Sequence, residues 1–415
     1  LIPVATISIG DELLSGRTVE TNTRFIAETL ALYGLEVVWK VVVGDELEAI
    51  LEALELAFKH GQIITVTGGL GPTHDDVTKA ALVRFFNTEL KFYPEVLEKL
   101  RERFKNWGRS PELVDRSQAE YPATAKLLEN PVGTAQGMWF QRGKQHLFAM
   151  PGVPREMQAI VQQGIVPVVK EVSPTRRLRR ELRTAGIPEI KLYRKIQDLF
   201  EAYPQVKVAY LPHHTGVTVR LTLDTTDPQS GNRLLDEVVE AVRERAGKYI
   251  YGLDDTSLAA AVGQLLQRHG LRVVTVESCT GGLIAGALTD VSGSSEYFHL
   301  GLVTYGNDMK NRMVGVSQIT LETHGAVSEA TVREMLQGGL EADGKADYAV
   351  AVSGIAGPTG GTPEKPVGLV YVGVASRKRI QVRKFQFGGD RRLNREMTVT
   401  AALNMLRLAI MQDYD

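Results

Sequence analysis

Cysteine is nearly absent: Cys279 is the only one in 415 residues. That excludes an internal disulfide framework and a cysteine metal cluster, and it suits a reducing compartment. Long apolar runs are missing too. No stretch approaches the roughly 20 residues that span a bilayer, so no membrane partner is expected. Charge of one sign is also lacking: 48 Lys and Arg stand against 49 Asp and Glu, a net charge of −1. So balanced a chain has no global pull toward nucleic acid or membrane. There is no Walker Gly-Lys-Ser/Thr, no spaced dinucleotide fingerprint, no internal repeat and no low-complexity tract. The N-terminal run Leu1–Ile7 reads as a strand, not as a signal peptide.

What is present reads as globular: 43% hydrophobic and 23% charged residues. The length exceeds one ordinary core, so two or three domains are expected. Residues 1–170 alternate apolar strand and helix patterns, which implies a largely parallel sheet covered by helices. Residues 171–252 open on Arg176, Arg177, Arg179, Arg180 and Arg183 and read as a small α+β module. The arginines lack interleaved aromatics and a GxxG loop, so a strand with a solvated face explains them better than nucleic acid does. His213 and His214 are a candidate metal pair, but adjacent strand residues point to opposite faces, which favours a loop or turn for them. Residues 253–415 form a second α/β unit. The fold class is therefore α/β, two α/β sandwich domains joined by a small module.

The richest stretch is Glu277-Ser278-Cys279-Thr280-Gly281-Gly282. An apolar strand, Leu271 to Val276, runs into it, and a small-residue helix pattern follows. A hydroxyl at a strand-to-helix turn is a candidate nucleophile, with backbone N–H groups of Thr280, Gly281 and Gly282 as oxyanion donors. Simple packing gives the same pattern. Lys310 is a candidate base, because a desolvated lysine can lose its proton and accept one from serine. A solvated surface lysine is the competing reading. No histidine stands near these motifs except His299, which favours Ser-Lys over a Ser-His-Asp triad. Cys279 is the rival nucleophile, or a small buried hydrophobe. Ser353 and Gly354 end another strand, Arg391 opens the last helix and suits a phosphate or carboxylate, and Ser295 adds a loop hydroxyl.

In the first segment, Gly68-Gly69-Leu70-Gly71-Pro72-Thr73 follows a strand and precedes a helix, where phosphates bind in open α/β sheets. Thr73 and Asp76 can form a capping pair. Alternatively, acids beside a phosphate hold a divalent cation. Asp11 and Asp45 follow strands of the same sheet, so Asp11, Asp45, Asp75 and Asp76 are expected to converge on one edge.

Taken together, these motifs resemble a known family. Glu277 to Gly282, Thr304-Tyr305 with Lys310, Ser353 to Pro358 and Gly388 to Arg391 resemble nicotinamide-nucleotide amidases. Gly10 to Leu14, Thr21 to Thr23, Gly68 to Thr78 and Pro151 to Met157 resemble the molybdopterin-binding-like domain. The two in this order, with a module between them, resemble the CinA family (competence/damage-inducible protein A). The resemblance implies a cytoplasmic bifunctional enzyme that deamidates nicotinamide mononucleotide without a metal. It also implies a Mg²⁺-, Mn²⁺- or Co²⁺-dependent ADP-ribose pyrophosphatase in the first domain. It assigns Ser278 as nucleophile, Lys310 as base, and Tyr305, Ser295, Ser353 and Arg391 to the substrate. It matches Asp45 and Asp76 to the metal, with Asp11 and Asp75 as weaker matches, and it implies a homodimer. The alternatives are a pterin or nucleotide binding module without hydrolysis, and a competence or DNA-damage scaffold.

Overall fold

A computed structural model describes residues 1–71, 73 and 76–414. The chain packs as two compact units, Leu1–Leu178 with Asp224–Gly231, and Arg179–Leu223 with Asn232–Asp415. Among the described residues the strands run β1 (Ile2–Ile9), β2 (Leu35–Val43), β3 (Ile63–Thr67), β4 (Leu90–Phe92), β5 (Glu120–Pro122), β6 (Lys126–Leu128), β7 (Gly137–Arg142) and β8 (Gln145–Met150) in the first stretch. They continue as β9 (Arg176–Thr184), β10 (Lys207–His213), β11 (Gly216–Thr225), β12 (Ile250–Leu253), β13 (Val273–Glu277), β14 (Phe298–Val303), β15 (Tyr348–Gly354), β16 (Leu369–Ser376) and β17 (Ile380–Gln386).

The first unit is built on a six-stranded sheet, ordered β2-β1-β3-β8-β7-β6. Its first four strands run parallel. β7 and β6 continue it antiparallel. Period-two alternation gives each face its own core. Ala5, Ile7, Ile64, Val66 and Leu147 pack under the helix Leu47–His60 and its neighbours. Val4, Ile63, Phe148 and Met150 pack under Ile26, Leu30, Met157 and Ile160 on the opposite face. β6 and β7 escape the sequence pattern, because β6 has only three residues and neither alternates over a long enough run.

The second unit holds two sheets. The four-stranded sheet runs β10-β11-β9-β12. Within the unit, Arg180 pairs with Asp236, and both Arg183 and Arg220 pair with Glu181. In the first unit Arg177 pairs with Asp224. These ion pairs neutralise much of the arginine run. His213 ends β10 and hydrogen-bonds Thr215 and Thr218, whereas His214 faces Glu396, so the two histidines do not share a ligand.

The five-stranded sheet runs β14-β13-β15-β16-β17, parallel across β14, β13 and β15 and antiparallel beyond. Val273, Val350, Val352 and Val372 face Val262, Ile284, Leu403 and Leu406. Val274, Val276, Ala349 and Ala351 face Val314, Val332, Met335 and Leu336. Because β13 and β15 are parallel neighbours, the residues just past Glu277 and Val352 meet at one sheet edge.

Candidate functional site

The helix expected after the glycine stretch runs from Thr78 to Phe85. Thr78 Oγ1 donates to Gly68 O at 2.9 Å and ties that start to the glycine loop. Thr73 donates to Asp76 Oδ2 from its amide (2.9 Å) and hydroxyl (2.5 Å), ahead of the helix rather than capping it. Gly68 holds φ 107°, and a Cβ there would lie 2.2 Å from Ile9 O. Only glycine lets β1 and β3 approach so closely at this edge.

A cleft of about 480 Å³ opens over the C-terminal ends of β1, β2, β3 and β8, lined by Gly68, Gly69, Gly71, Asp45, Asp76 and Asn22 among others. The parallel sheet thus brings the glycine loop, Asp45 and Asp76 together. Asp11 is corrected: it does not line the cleft, and its neighbour Glu12 does. Asp11 Oδ1 accepts the Asp45 amide at 3.3 Å, and Asp45 Oδ2 accepts the Asp11 amide at 3.0 Å, so the two carboxylates brace each other's loops. Asp75 lies outside the described residues. The cleft also carries Glu20 and Glu156. Among the described residues no three His, Cys, Asp or Glu side chains gather tightly enough to cage an ion. The donors are all carboxylate oxygens, which fits a hard cation that keeps most of its waters and takes one or two carboxylates with substrate phosphates.

The second site starts where β13 ends. The Ser278 amide donates to Val352 O at 3.1 Å, fixing the serine to the neighbouring strand. Gly281 (φ 59°) and Gly282 (φ 93°) then reverse the chain into the helix Leu283–Thr289. Lys310 comes from the helix Asn307–Val314 and is 1% exposed. Its Nζ lies 3.1 Å from Ser278 Oγ and donates to the carbonyls of Thr304 at 2.8 Å and Tyr305 at 3.2 Å. Burial pulls the ammonium below the usual lysine range. No carboxylate forms an ion pair with it among the described residues. Burial pushes the neighbouring Cys279 thiol up to about 11.

Tyr305 links the pair to the last helix: its carbonyl meets Lys310, and its hydroxyl accepts from Arg391 Nη2 at 3.0 Å. Arg391 Nη1 donates to Gly357 O at 2.8 Å. Ser278, Lys310, Tyr305 and Arg391 therefore form one connected group. Three expectations are corrected. Ser353 is fully buried and donates to Ala326 O at 2.7 Å, so it braces the strand end instead of facing a ligand; Gly354 beside it is partly buried. Ser295 precedes β14, whose register with β13 pairs Val273 with Phe298 and Glu277 with Val303, so Ser295 stands at the opposite sheet edge from Ser278. The expected donors over Thr280–Gly282 also narrow. The Gly281 amide goes to Ser278 O and the Gly282 amide to Glu277. Only the Thr280 amide is taken by no carbonyl or carboxylate among the described residues.

Two site residues escape the sequence reading. Glu277 is fully buried, and its carboxylate accepts the amides of Gly282, Ile284 and Ala285 at 3.0, 3.0 and 2.8 Å. The signal was an acid closing an apolar strand. Arg395 Nη2 donates to Thr280 O at 2.6 Å, one helical turn past Arg391.

Three family models match the chain: the probable molybdopterin binding domain over residues 5–171, the damage-inducible protein CinA KH domain over 179–252, and the CinA C-terminal domain over 255–410. A CinA-like protein of Salinibacter ruber is 41% identical over 404 residues, covering 97% of this chain and 98% of the relative. A CinA-like protein of Chloroherpeton thalassium is 40% identical over 410 residues, covering 97% of each. The crystal structure of competence/damage inducible protein CihA from Agrobacterium tumefaciens is 47% identical, covers 37% of this chain and 94% of that one, and has a TM-score of 0.36. Matched across its whole length, the chain belongs to the CinA family, with a molybdopterin-binding-like domain in its first unit.

Proposed function

We propose that the Ser278 site is a nucleotide amidase that hydrolyses the carboxamide of nicotinamide mononucleotide to nicotinate mononucleotide and ammonia. The observation that carries this is the 3.1 Å contact between Lys310 Nζ and Ser278 Oγ, with two carbonyls on the same nitrogen. An ammonium offers three donors. The neutral amine keeps two, which the Thr304 and Tyr305 carbonyls accept, and turns its lone pair to the serine hydroxyl. Burial favours that neutral form.

Lys310 takes the Ser278 proton as Oγ bonds to the carboxamide carbon. The tetrahedral intermediate collapses, the C–N bond breaks, and Lys310 returns the proton to departing ammonia. Water then attacks the acyl ester with Lys310 again as base, releasing the acid and free Ser278. Arg391 binds the 5′-phosphate, and Tyr305 holds Arg391 in place. A Ser278→Ala protein should release no ammonia above background; release at the unaltered rate sinks the assignment.

For the first unit we infer a cytoplasmic, metal-dependent ADP-ribose pyrophosphatase. Asp45 and Asp76 would hold the cation and the glycine loop the diphosphate, and the cation would supply charge neutralisation at that diphosphate. The glycine loop at the cleft serves a second reading equally well, nucleotide binding without hydrolysis. Chromatography of ADP-ribose incubated with Mn²⁺ separates the two: AMP forms with the wild type and not with Asp76→Asn if hydrolysis is right. Calorimetric binding without AMP supports the second reading.

A further inference from the structure

The second unit holds another cavity, of about 460 Å³, that shares no residue with Ser278, Lys310, Tyr305 or Arg391. Its size suits a small organic ligand. One wall carries Phe385 and Phe387, stacked 5.5 Å apart, with Tyr249 nearby. Lys248, Arg383 and His214 also line it, and among the described residues no Asp or Glu does. His214 is answered by Glu396 at 3.2 Å. Lys248 and Arg383 have no acidic partner among the described residues.

Behind the wall lies a buried cation. Arg407 is 2% exposed, and its guanidinium donates to Lys248 O at 2.6 Å, Ile250 O at 3.2 Å and Asn404 Oδ1 at 3.1 Å, with no carboxylate in ion-pair range among the described residues. Burial lowers it to about 10. A buried charge without a counter-ion leaves positive potential in a low-dielectric wall. Asn404, which lines the cavity, is 8% exposed. Arg407 occupies its Oδ1 and so fixes which end of the amide faces out. Its Nδ2 then has no acceptor among the described residues. Nδ2 faces Gly186, also on the cavity wall, where a Cβ would crowd it at 2.8 Å. A donor is therefore held in position, with its approach kept open.

We propose that this cavity is a further nucleotide site, separate from the Ser278 site, which takes a nucleoside monophosphate. The base lies against the Phe385 and Phe387 side, and the phosphate is held by Asn404 Nδ2, Lys248 and Arg383. The apolar wall rejects phosphate alone as the full ligand, and the acid-free rim rejects an uncharged nucleoside.

The test titrates the full-length protein with AMP by calorimetry, using the wild type, Asn404→Asp and the double variant Lys248→Glu/Arg383→Glu. Asn404→Asp keeps the oxygen that accepts from Arg407 Nε and Nη2, yet replaces the donor by a negative acceptor. The double variant lies on the surface. Thermal melting confirms that each is folded. Because the first unit's cleft also binds nucleotides on the reading above, the readout is the difference between proteins. Loss of one AMP site, or its weakening by tenfold or more, in both variants supports the proposal, whichever way the amidase assignment falls. Identical isotherms in all three proteins overturn it. So do a wild-type crystal soaked in AMP without density in the cavity, and inorganic phosphate that binds the site as tightly as AMP.

Discussion

The Glu277 carboxylate accepts the Ala285 amide at 2.8 Å across the turn that presents Ser278. Two more amides, of Gly282 and Ile284, fall on the same carboxylate. The acid thus consumes the free donors at the start of the helix and sets the turn's shape. Hydrogen bonds to a buried charge are worth about 1.5–3 kcal/mol each, and they are not additive. Glu277→Gln keeps one acceptor oxygen but points an amide at backbone donors. It should cost about 2–4 kcal/mol of stability, read as an earlier unfolding midpoint in denaturant, with ammonia release falling in step.

Lys310 should set the pH dependence. Its proton is lost more readily in the folded protein than in the unfolded chain, because burial lowers its pKa from 10.5. Folded protein therefore binds fewer protons than unfolded protein between the lowered value and 10.5, and this group's contribution to stability rises with pH through that window. Amidase kcat/KM for nicotinamide mononucleotide should likewise rise with pH, on a limb below the ordinary lysine range. Lys310→Arg should lower kcat by about 10²–10⁴ and remove that limb, since arginine stays protonated. An unchanged profile in Lys310→Arg excludes the lysine as base.

Arg391 is exposed and is held by Gly357 O and Tyr305. Arg391→Ala should raise KM for nicotinamide mononucleotide roughly 10–100-fold and leave kcat nearly unchanged, the pattern of lost uniform binding. The free nucleoside, which lacks the phosphate, should be hydrolysed alike by both proteins. Equal KM values with the nucleotide would place its phosphate elsewhere.

Cys279 stands beside the serine, but its thiol is buried and raised to about 11. Iodoacetamide at pH 8 should leave it unmodified in the folded protein, and Cys279→Ala should retain ammonia release within about twofold. Mass spectrometry of the alkylated protein checks the first point.

Gly68→Ala should damage the first unit. A positive φ costs about 1–3 kcal/mol in a residue with a side chain, and the added Cβ would also meet Ile9 O. A lower melting temperature and lost ADP-ribose binding are expected, with the amidase rate retained. Calorimetry and ammonia assays on one preparation check both.

Much of this is legible in the residues. The Val273–Glu277 strand and the reversal at Gly281-Gly282 follow from an apolar run meeting paired glycines. The parallel sheet foretells that Gly68, Asp45 and Asp76 meet at one edge. The misplacements share a physical cause. Ser295 is a loop hydroxyl that leads into the start of β14 at Phe298, and the parallel register with β13 puts it at the edge away from Ser278, a pairing that the residues alone do not give. Glu277 ends a strand where charge usually marks solvent, and only its contact with later amides shows it as buried. Asp11 shows the same limit, since strand ends give the edge but not the direction of each side chain.

Acid-quenched intact-protein mass spectrometry during turnover of nicotinamide mononucleotide bears most directly on the Ser278–Lys310 pair. The wild type should carry a transient adduct equal to substrate minus ammonia, mapped by proteolysis to Ser278. The adduct should be absent in Ser278→Ala and form far more slowly in Lys310→Arg. Turnover with no adduct on Ser278, or an adduct that forms as fast in Lys310→Arg, would contradict it.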